Sequence, residues 1–165
     1  MGGARFEHTG VEGTGSFSDP TLPTQSSVTV SRNYQAWYPS LHLRYAVTSN
    51  LLLCSSFSTS GARPSLSAVV PNTTVSYLAD GSGLGRVTQS NPGLKPQYAR
   101  TYDCSAEYYL EPAGLLSAGA FRKDISNFIN RATRIIGDGP NNGFGGRYDD
   151  FELTTTGNLG ISGRF

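Results

Sequence analysis

Two stretches of this chain alternate in polarity with a period of two. In YPSLHLRYAV (38–47), Leu41, Leu43, Tyr45 and Val47 share one face, and Ser40, His42, Arg44 and Ala46 share the other. In NPGLKPQYARTYDCSAEYYLEP (91–112), Tyr102, Cys104, Ala106 and Tyr108 oppose Asp103, Ser105, Glu107 and Tyr109. Successive side chains of a β-strand point to opposite faces, so a period of two sorts a strand into two surfaces. Each of these strands therefore has one apolar and one polar face, and the fold must provide a solvent for both.

The same signal recurs along the chain. Residues 4–11 alternate weakly, with Arg5, Glu7 and Thr9 against Ala4, Phe6 and His8. Residues 51–60 place Leu51, Leu53 and Phe57 opposite Cys54, Ser56 and Ser58. After the turn at 111–114, LLSAGAFRKDISNFI runs back with Leu116, Ala118 and Ala120 on one side. In the last segment Phe151, Leu153, Leu159, Ile161 and Phe165 oppose Glu152, Thr154, Thr156, Asn158, Ser162 and Arg164. Helical periodicity is nearly absent; the one apolar window that could wind, 132–136, is short and ends at Gly137.

The expected architecture is all-β, an antiparallel meander of about six strands. Short turns at 48–50 and 111–114 alternate with long loops near 12–32, 61–97 and 130–147. Loops of that length are uncommon in compact domains and are usually functional. Short turns at one end, long loops at the other and strands with one apolar face are the layout of a transmembrane β-barrel, with periplasmic turns and extracellular loops. Aromatics near the expected strand ends (Tyr38, Tyr45, Phe57, Tyr102, Tyr108, Phe128, Tyr148) fit interfacial girdles. A soluble β-sheet used for binding or adhesion is the alternative, and its apolar faces would have to meet in a core.

Composition narrows the choice. Charged residues are 15% of the chain, against about 25% usually, and 20 glycines with many Ser, Thr, Asn and Tyr suit strands and turns. The net charge of +1 and the lack of a basic stripe argue against a nucleic-acid partner. No apolar run is long enough for a transmembrane helix, which leaves a barrel open. The N-terminus MGGARFEHTG has no apolar leader segment, so a barrel would need its signal sequence on further chain.

Candidate chemistry is sparse. Asp103 and Glu107 share a strand face about 13 Å apart, too far for a glycosidase pair. His8 and His42 are isolated, and Cys54 and Cys104 fit no metal spacing, so no metal, cofactor or catalytic set is expected. GSGLG (81–85) lacks the strand and helix of a dinucleotide site and reads as loop. The two thiols fall on opposite faces of the sheet, which argues against a disulfide.

NPGLKP (91–96), followed by a strand ending EYYLEPAGLLSAGAFRKDISNFI, resembles TonB-dependent outer-membrane receptors. Members carry an NP-x-L-(K/R)-P-E element, a strand of the type N-x-D-x-x-x-E-Y-Y, a turn, and a strand ending F-x-K-x-I-x-x-F-I. WYPSLHLRYAVTSNLLLCSSFSTSGARPS resembles the hairpin before them, with Arg63-Pro64 as its last element. The departures are Gln97 for a common Glu, Tyr38 for a common Leu, and cysteines at 54 and 104. The resemblance covers nearly the whole chain and implies a partial barrel domain over 1–165, without the plug domain or TonB box of a receptor of 22 strands.

It further implies a bacterial outer-membrane protein, not an enzyme, that takes part in uptake of a scarce ligand such as a siderophore, cobalamin or an oligosaccharide. The implied partners are outer-membrane lipid, the plug domain, the remaining barrel strands and, through the full-length protein, the TonB complex. The fragment would not be active on its own, because an open sheet leaves backbone groups unpaired in lipid. The lumen would be lined by His42, Arg44, Ser56, Asp103, Ser105, Glu107 and Glu152. Lipid would be faced by Leu41, Leu43, Tyr45, Leu53, Phe57, Tyr102, Tyr108, Phe151 and Leu153.

Overall fold

The structure is a computed structural model that describes residues 1–22 and 26–159, and the backbone of 163–164. Ile161, Ser162 and Phe165, assigned above to the last alternating segment, lie outside the described residues.

Five long strands make an antiparallel sheet in the order β1 (Gly2–Ser18), β2 (Ser27–Ala46), β3 (Leu51–Ala62), β6 (Gln97–Leu110) and β7 (Gly114–Ser126). The remaining elements are α1 (Leu66–Val69), β4 (Thr73–Tyr77), β5 (Gly85–Gln89), β8 (Phe128–Ile135), β9 (Glu152–Leu159) and β10 (Gly163–Arg164). The tight turns between β2 and β3 and between β6 and β7 lie at one end. In the first, the Thr48 hydroxyl accepts the amides of Asn50 and Leu51 at 3.2 and 3.0 Å. All longer connections lie at the other end, as the sequence implies.

Ten strands are present among the described residues, rather than about six. The stretch expected as a loop at 12–32 is mostly ladder, because β1 and β2 pair from Gly2↔Leu41 through Ser16↔Ser27. Its outer part has little apolar periodicity beyond Val28 and Val30, and backbone bonds and polar pairs, such as Thr14–Thr29 at 2.7 Å, hold it instead of a core. The loop at 61–97 holds the β4–β5 hairpin, which leaves the β3–β6 neighbourhood and joins the far end of β1. The window at 132–136 does not wind: it ends β8, which continues β7 after a bend at Asn127 (φ 54°).

Two parallel pairings, β1 with β4 and β5 with β9, carry the sheet around at the loop end. Because β8 continues β7 through a single residue, the strands there approach a closed ring.

Pro39 fixes where β2 and β3 separate. Their ladder runs only from Ser40↔Ser58 to Ala46↔Leu52. Proline has no N–H to continue it, and the Thr59 hydroxyl takes the Pro39 carbonyl at 3.0 Å. The Tyr38 ring fills the resulting gap over Gly61, where any Cβ would collide with the ring. Tyr38 is therefore buried rather than part of an exposed girdle.

The enclosed core does not lie in the five-stranded sheet. It sits at the loop end, where Val75, Val87 and Leu153 form one row across β4, β5 and β9. Residues 136–151 fold over that row as a cover, adding Ile136 and Phe151. Phe151 and Leu153, expected to face lipid, are 5% and 3% exposed inside this core. Their alternation is real, but β9 pairs with β5, and the apolar side of that pair is covered by protein.

Candidate functional site

Register sorts the side chains of the five-stranded sheet. Leu43↔Ser55↔Cys104↔Ala120 and Leu41↔Phe57↔Tyr102↔Arg122 are rows on one face, with Tyr45↔Leu53↔Ala106↔Ala118 beside them. Tyr108 opposes Leu51 and Leu116 on that face. Leu43 is 57% and Tyr45 67% exposed, and Leu41, Leu53, Tyr102 and Tyr108 are exposed as well. Phe57 is half-buried against Tyr102, with ring centroids 5.1 Å apart.

On the opposite face run His42↔Ser56↔Asp103↔Phe121 and Arg44↔Cys54↔Ser105↔Gly119. Ser56 donates to Asp103 at 3.2 Å, and the Tyr109 hydroxyl donates to Glu107 at 2.8 Å. His42, Arg44, Ser56, Asp103 and Ser105 line one open hollow. Arg5, Glu7 and Arg63 extend this face toward the loop end, with Glu7 at 3.1 Å from Arg5 and 3.0 Å from Arg63. The sixth expected residue, Glu107, is on this face, whereas Glu152 is not brought to it. Glu152 pairs with Arg86 at 2.7 Å in the loop-end sheet.

Cys54 and Cys104 fall on opposite faces, and both are free thiols. Among the described residues no group of three metal-ligating side chains converges.

Two polar nodes hold the loop end together. The first is the NPGLKP segment. Asn158 of β9 accepts the Lys95 amide at 2.8 Å and donates to the carbonyls of Lys95 and Asn127 at 2.9 and 2.8 Å. Asn91 donates to the Thr156 carbonyl at 3.0 Å. Arg32 and Tyr34 of β2 donate to the carbonyls of Pro92 and Leu94 at 3.1 and 3.2 Å. Leu94 beneath them is 2% exposed. The motif therefore ties β9 and the β7–β8 bend to the β1–β2 hairpin.

The second node is Asp19, which is 3% exposed. Its carboxylate accepts the Thr21 amide and hydroxyl, each at 2.8 Å, and the hydroxyls of Tyr77 and Tyr148. Three segments meet there: the turn after β1, the β4–β5 hairpin and the cover. No sequence pattern singled out Asp19, because its donors lie up to 129 positions away.

Burial pushes the Asp19 carboxyl up, but these hydrogen bonds outweigh it and hold its pKa below the ordinary value of 3.8. Burial, and then the bond to Asp19, push the Tyr148 phenol up to about 12. A raised folded pKa gives a contribution that is complete below the unfolded value of 10.0 and lost as pH rises through about 12. The Asp19 contribution has the opposite sense: it is present above pH 3.8 and lost as pH falls through the lower folded value. A spectrophotometric phenol titration should thus contain a phenol that ionises only near pH 12. Tyr148→Phe should remove that last step; a phenol still titrating near pH 12 in this variant would place the shift elsewhere.

A family model described as "TonB dependent receptor-like, beta-barrel" matches residues 1–164. The chain belongs to the TonB-dependent receptor β-barrel family. Barrels of this family are bacterial outer-membrane proteins. Among solved structures, the hemophore receptor HasR of Serratia marcescens, in complex with its hemophore HasA and heme, aligns over 99% of this chain at 18% identity and a TM-score of 0.62. A mutant of the ferric enterobactin receptor PfeA of Pseudomonas aeruginosa aligns over 88% at 19% identity and a TM-score of 0.59. At these identities the likeness is one of fold. The chain spans 27% of the HasR chain and 21% of the PfeA chain. No curated protein matches the sequence. Within the receptor family, the two-faced sheet is barrel wall and the cover with its hairpin is the loop end.

Proposed function

We propose that this chain is a section of barrel wall in an outer-membrane transporter, and that its loop end takes part in capturing a scarce ligand from outside. The observation that carries this reading is the five-stranded sheet. It exposes one mainly apolar face and one mainly polar face across β2, β3 and β6, while the hydrophobic cluster of Val75, Val87, Ile136, Phe151 and Leu153 sits at the loop end. In water alone, an apolar patch of this extent is an interaction site. In a barrel wall, lipid covers Leu41, Leu43, Tyr45, Leu53, Phe57, Tyr102 and Tyr108. His42, Arg44, Ser56, Asp103, Ser105 and Glu107 then face the lumen and its plug.

The strand edges of the wall require further strands, because unpaired backbone groups in lipid cost several kcal/mol each. The chain thus acts within a larger receptor, with the plug, the remaining strands and the TonB complex as partners. Its role is transport rather than catalysis. Siderophores, cobalamin and oligosaccharides are the ligand classes to test.

Deleting the coding region from the parent cells, and restoring it with or without residues 136–151, tests the reading. Energy-dependent accumulation of one of a ferric siderophore, heme, cobalamin or a maltooligosaccharide should disappear on deletion and return only with the intact cover. If the chain fractionates as a soluble, monodisperse protein without detergent and no uptake changes, the adhesion-module alternative takes over.

A further inference from the structure

The face of the loop-end sheet that carries the core also carries a row that is left unfilled. Two residues along each strand from Val75, Val87 and Leu153 lie Thr73, Gln89 and Thr155, and Thr73 pairs with Phe17 of β1. The first row is packed dry: Val87 is 0% exposed. Over the second row the cover stands off, and a cavity of 340 Å³ opens between Phe17, Thr73 and Gln89 below and Phe144, Arg147 and Tyr148 above. The cavity is open to solvent on the side of Arg147, and its volume is at the lower end of small-ligand sites, which run about 300–1,000 Å³.

The cover is held in this shape by bonds between the Asn142 side chain and its own backbone. Asn142 accepts the amides of Phe144 and Gly146 at 2.8 and 3.2 Å and donates to the Arg147 carbonyl at 2.7 Å. Gly143, with φ 93°, places no side chain in the gap.

The lining has a definite chemistry. Tyr148 meets Phe144 edge-to-face at 5.7 Å and lies 6.5 Å from Phe17. Its hydroxyl is fixed by Asp19, so the ring is oriented before any ligand arrives. Thr73 is 8% exposed and lines the cavity. Arg147 is exposed at the rim and makes no ion pair among the described residues. Aromatic rings favour a planar aromatic guest, and a guanidinium favours a carboxylate through paired N–H donors.

We propose that this cavity binds a planar aromatic acid, with the ring against the wall made by Phe17, Phe144 and Tyr148 and the carboxylate on Arg147. The inference rests on the reading of the loop end as a capture surface and names the chemical class it takes. Asp19 serves as the positioning residue that holds Tyr148.

The full chain in detergent micelles is titrated calorimetrically with benzoate, cyclohexanecarboxylate and benzyl alcohol. These probes carry the charge and the ring together or one at a time. Benzoate should bind about tenfold more tightly than either of the others, the scale of one charge-assisted hydrogen bond. Arg147→Gln should remove that advantage and Arg147→Lys should restore part of it; Phe144→Ala should weaken benzoate about as much. Near-ultraviolet dichroism of the tyrosines verifies that the cover remains folded in each variant. Equal binding of the three probes, benzoate binding untouched by both Arg147→Gln and Phe144→Ala, or a cover without tyrosine dichroism in the parent chain would overturn the proposal. Benzoate binding in a chain that supports no uptake sinks the transport reading alone. Uptake by a chain with no benzoate preference sinks this inference alone.

Discussion

Arginine at Leu53 should weaken stable insertion of the sheet into a membrane, whereas arginine at Ser56 should be tolerated. The two positions are three residues apart on β3 and belong to opposite faces. Leu53 lies in the row Tyr45–Leu53–Ala106, which is apolar throughout. Ser56 lies between His42 and Asp103 and already donates to the Asp103 carboxylate. A lipid-facing arginine in a barrel costs about 2–4 kcal/mol at the bilayer midplane and about 0–1 kcal/mol near the interface, and Leu53, opposite Tyr45 and close to the β2–β3 turn, lies on the interfacial side. The interfacial cost is up to about fivefold in the insertion equilibrium. A new cation beside Asp103 on a wet face should change stability by no more than about 0.5 kcal/mol. The measurement is the fraction of chain that withstands extraction from membranes at alkaline pH, with protease protection as a second readout. Equal behaviour of Leu53→Arg and Ser56→Arg would remove the basis for assigning lipid to the leucine face.

Asn158→Leu should loosen the loop end by about 2–3 kcal/mol while leaving the wall intact. Three hydrogen bonds meet on this amide, and leucine of similar size replaces none of them. The Asn127 carbonyl would lose its partner in a half-buried setting, and the Lys95 amide and carbonyl in an exposed one, at up to roughly 1 kcal/mol each. Leu94, packed beneath, would become accessible. Limited proteolysis should then cut between β5 and β6 faster, by a factor of roughly thirty to a hundred when cleavage follows the open population. The β2–β3 and β6–β7 hairpins should keep their protection. Unchanged cleavage would mean that the contacts of Asn91, Arg32 and Tyr34 suffice without Asn158.

The two substitutions probe parts of the chain that differ in how plainly the sequence displays them. The wall strands are visible as alternation because each of their faces meets one uniform environment over many residues. The facing of the side chains followed directly, and the pairing of Leu43 with Ser55 and Cys104, and of His42 with Ser56 and Asp103, comes from the structure. The opposite facing of Cys54 and Cys104 followed in the same way.

At the loop end the signal fails for a physical reason. Phe151 and Leu153 alternate with Glu152 and Thr154 as a wall strand would. What buries them is residues 136–151 and a hairpin from 73–89, and period-two patterning carries no information about the identity of the covering surface. β4 and β5 are five residues each, too short for alternation to separate them from loop. The outer halves of β1 and β2 pair through backbone bonds and hydroxyls, and their apolar trace is short, Val28 and Val30 in β2. NPGLKP was recognisable as a motif, but its partners Asn158, Asn127, Arg32 and Tyr34 are distant in sequence, and single polar residues there look like ordinary surface.

By itself, then, the sequence determined the all-β class, the two faces of the wall, and the division into a short-turn end and a long-loop end. These follow from chain stereochemistry and side-chain polarity, which act locally. Only the tertiary structure decided that the loops form a core of their own, that Asp19 joins three segments, and that one row of the loop-end sheet is left open beneath Arg147. Those features come from long-range pairing, above all the parallel contacts of β4 with β1 and of β9 with β5. Such contacts bring together residues whose identities matter only in combination.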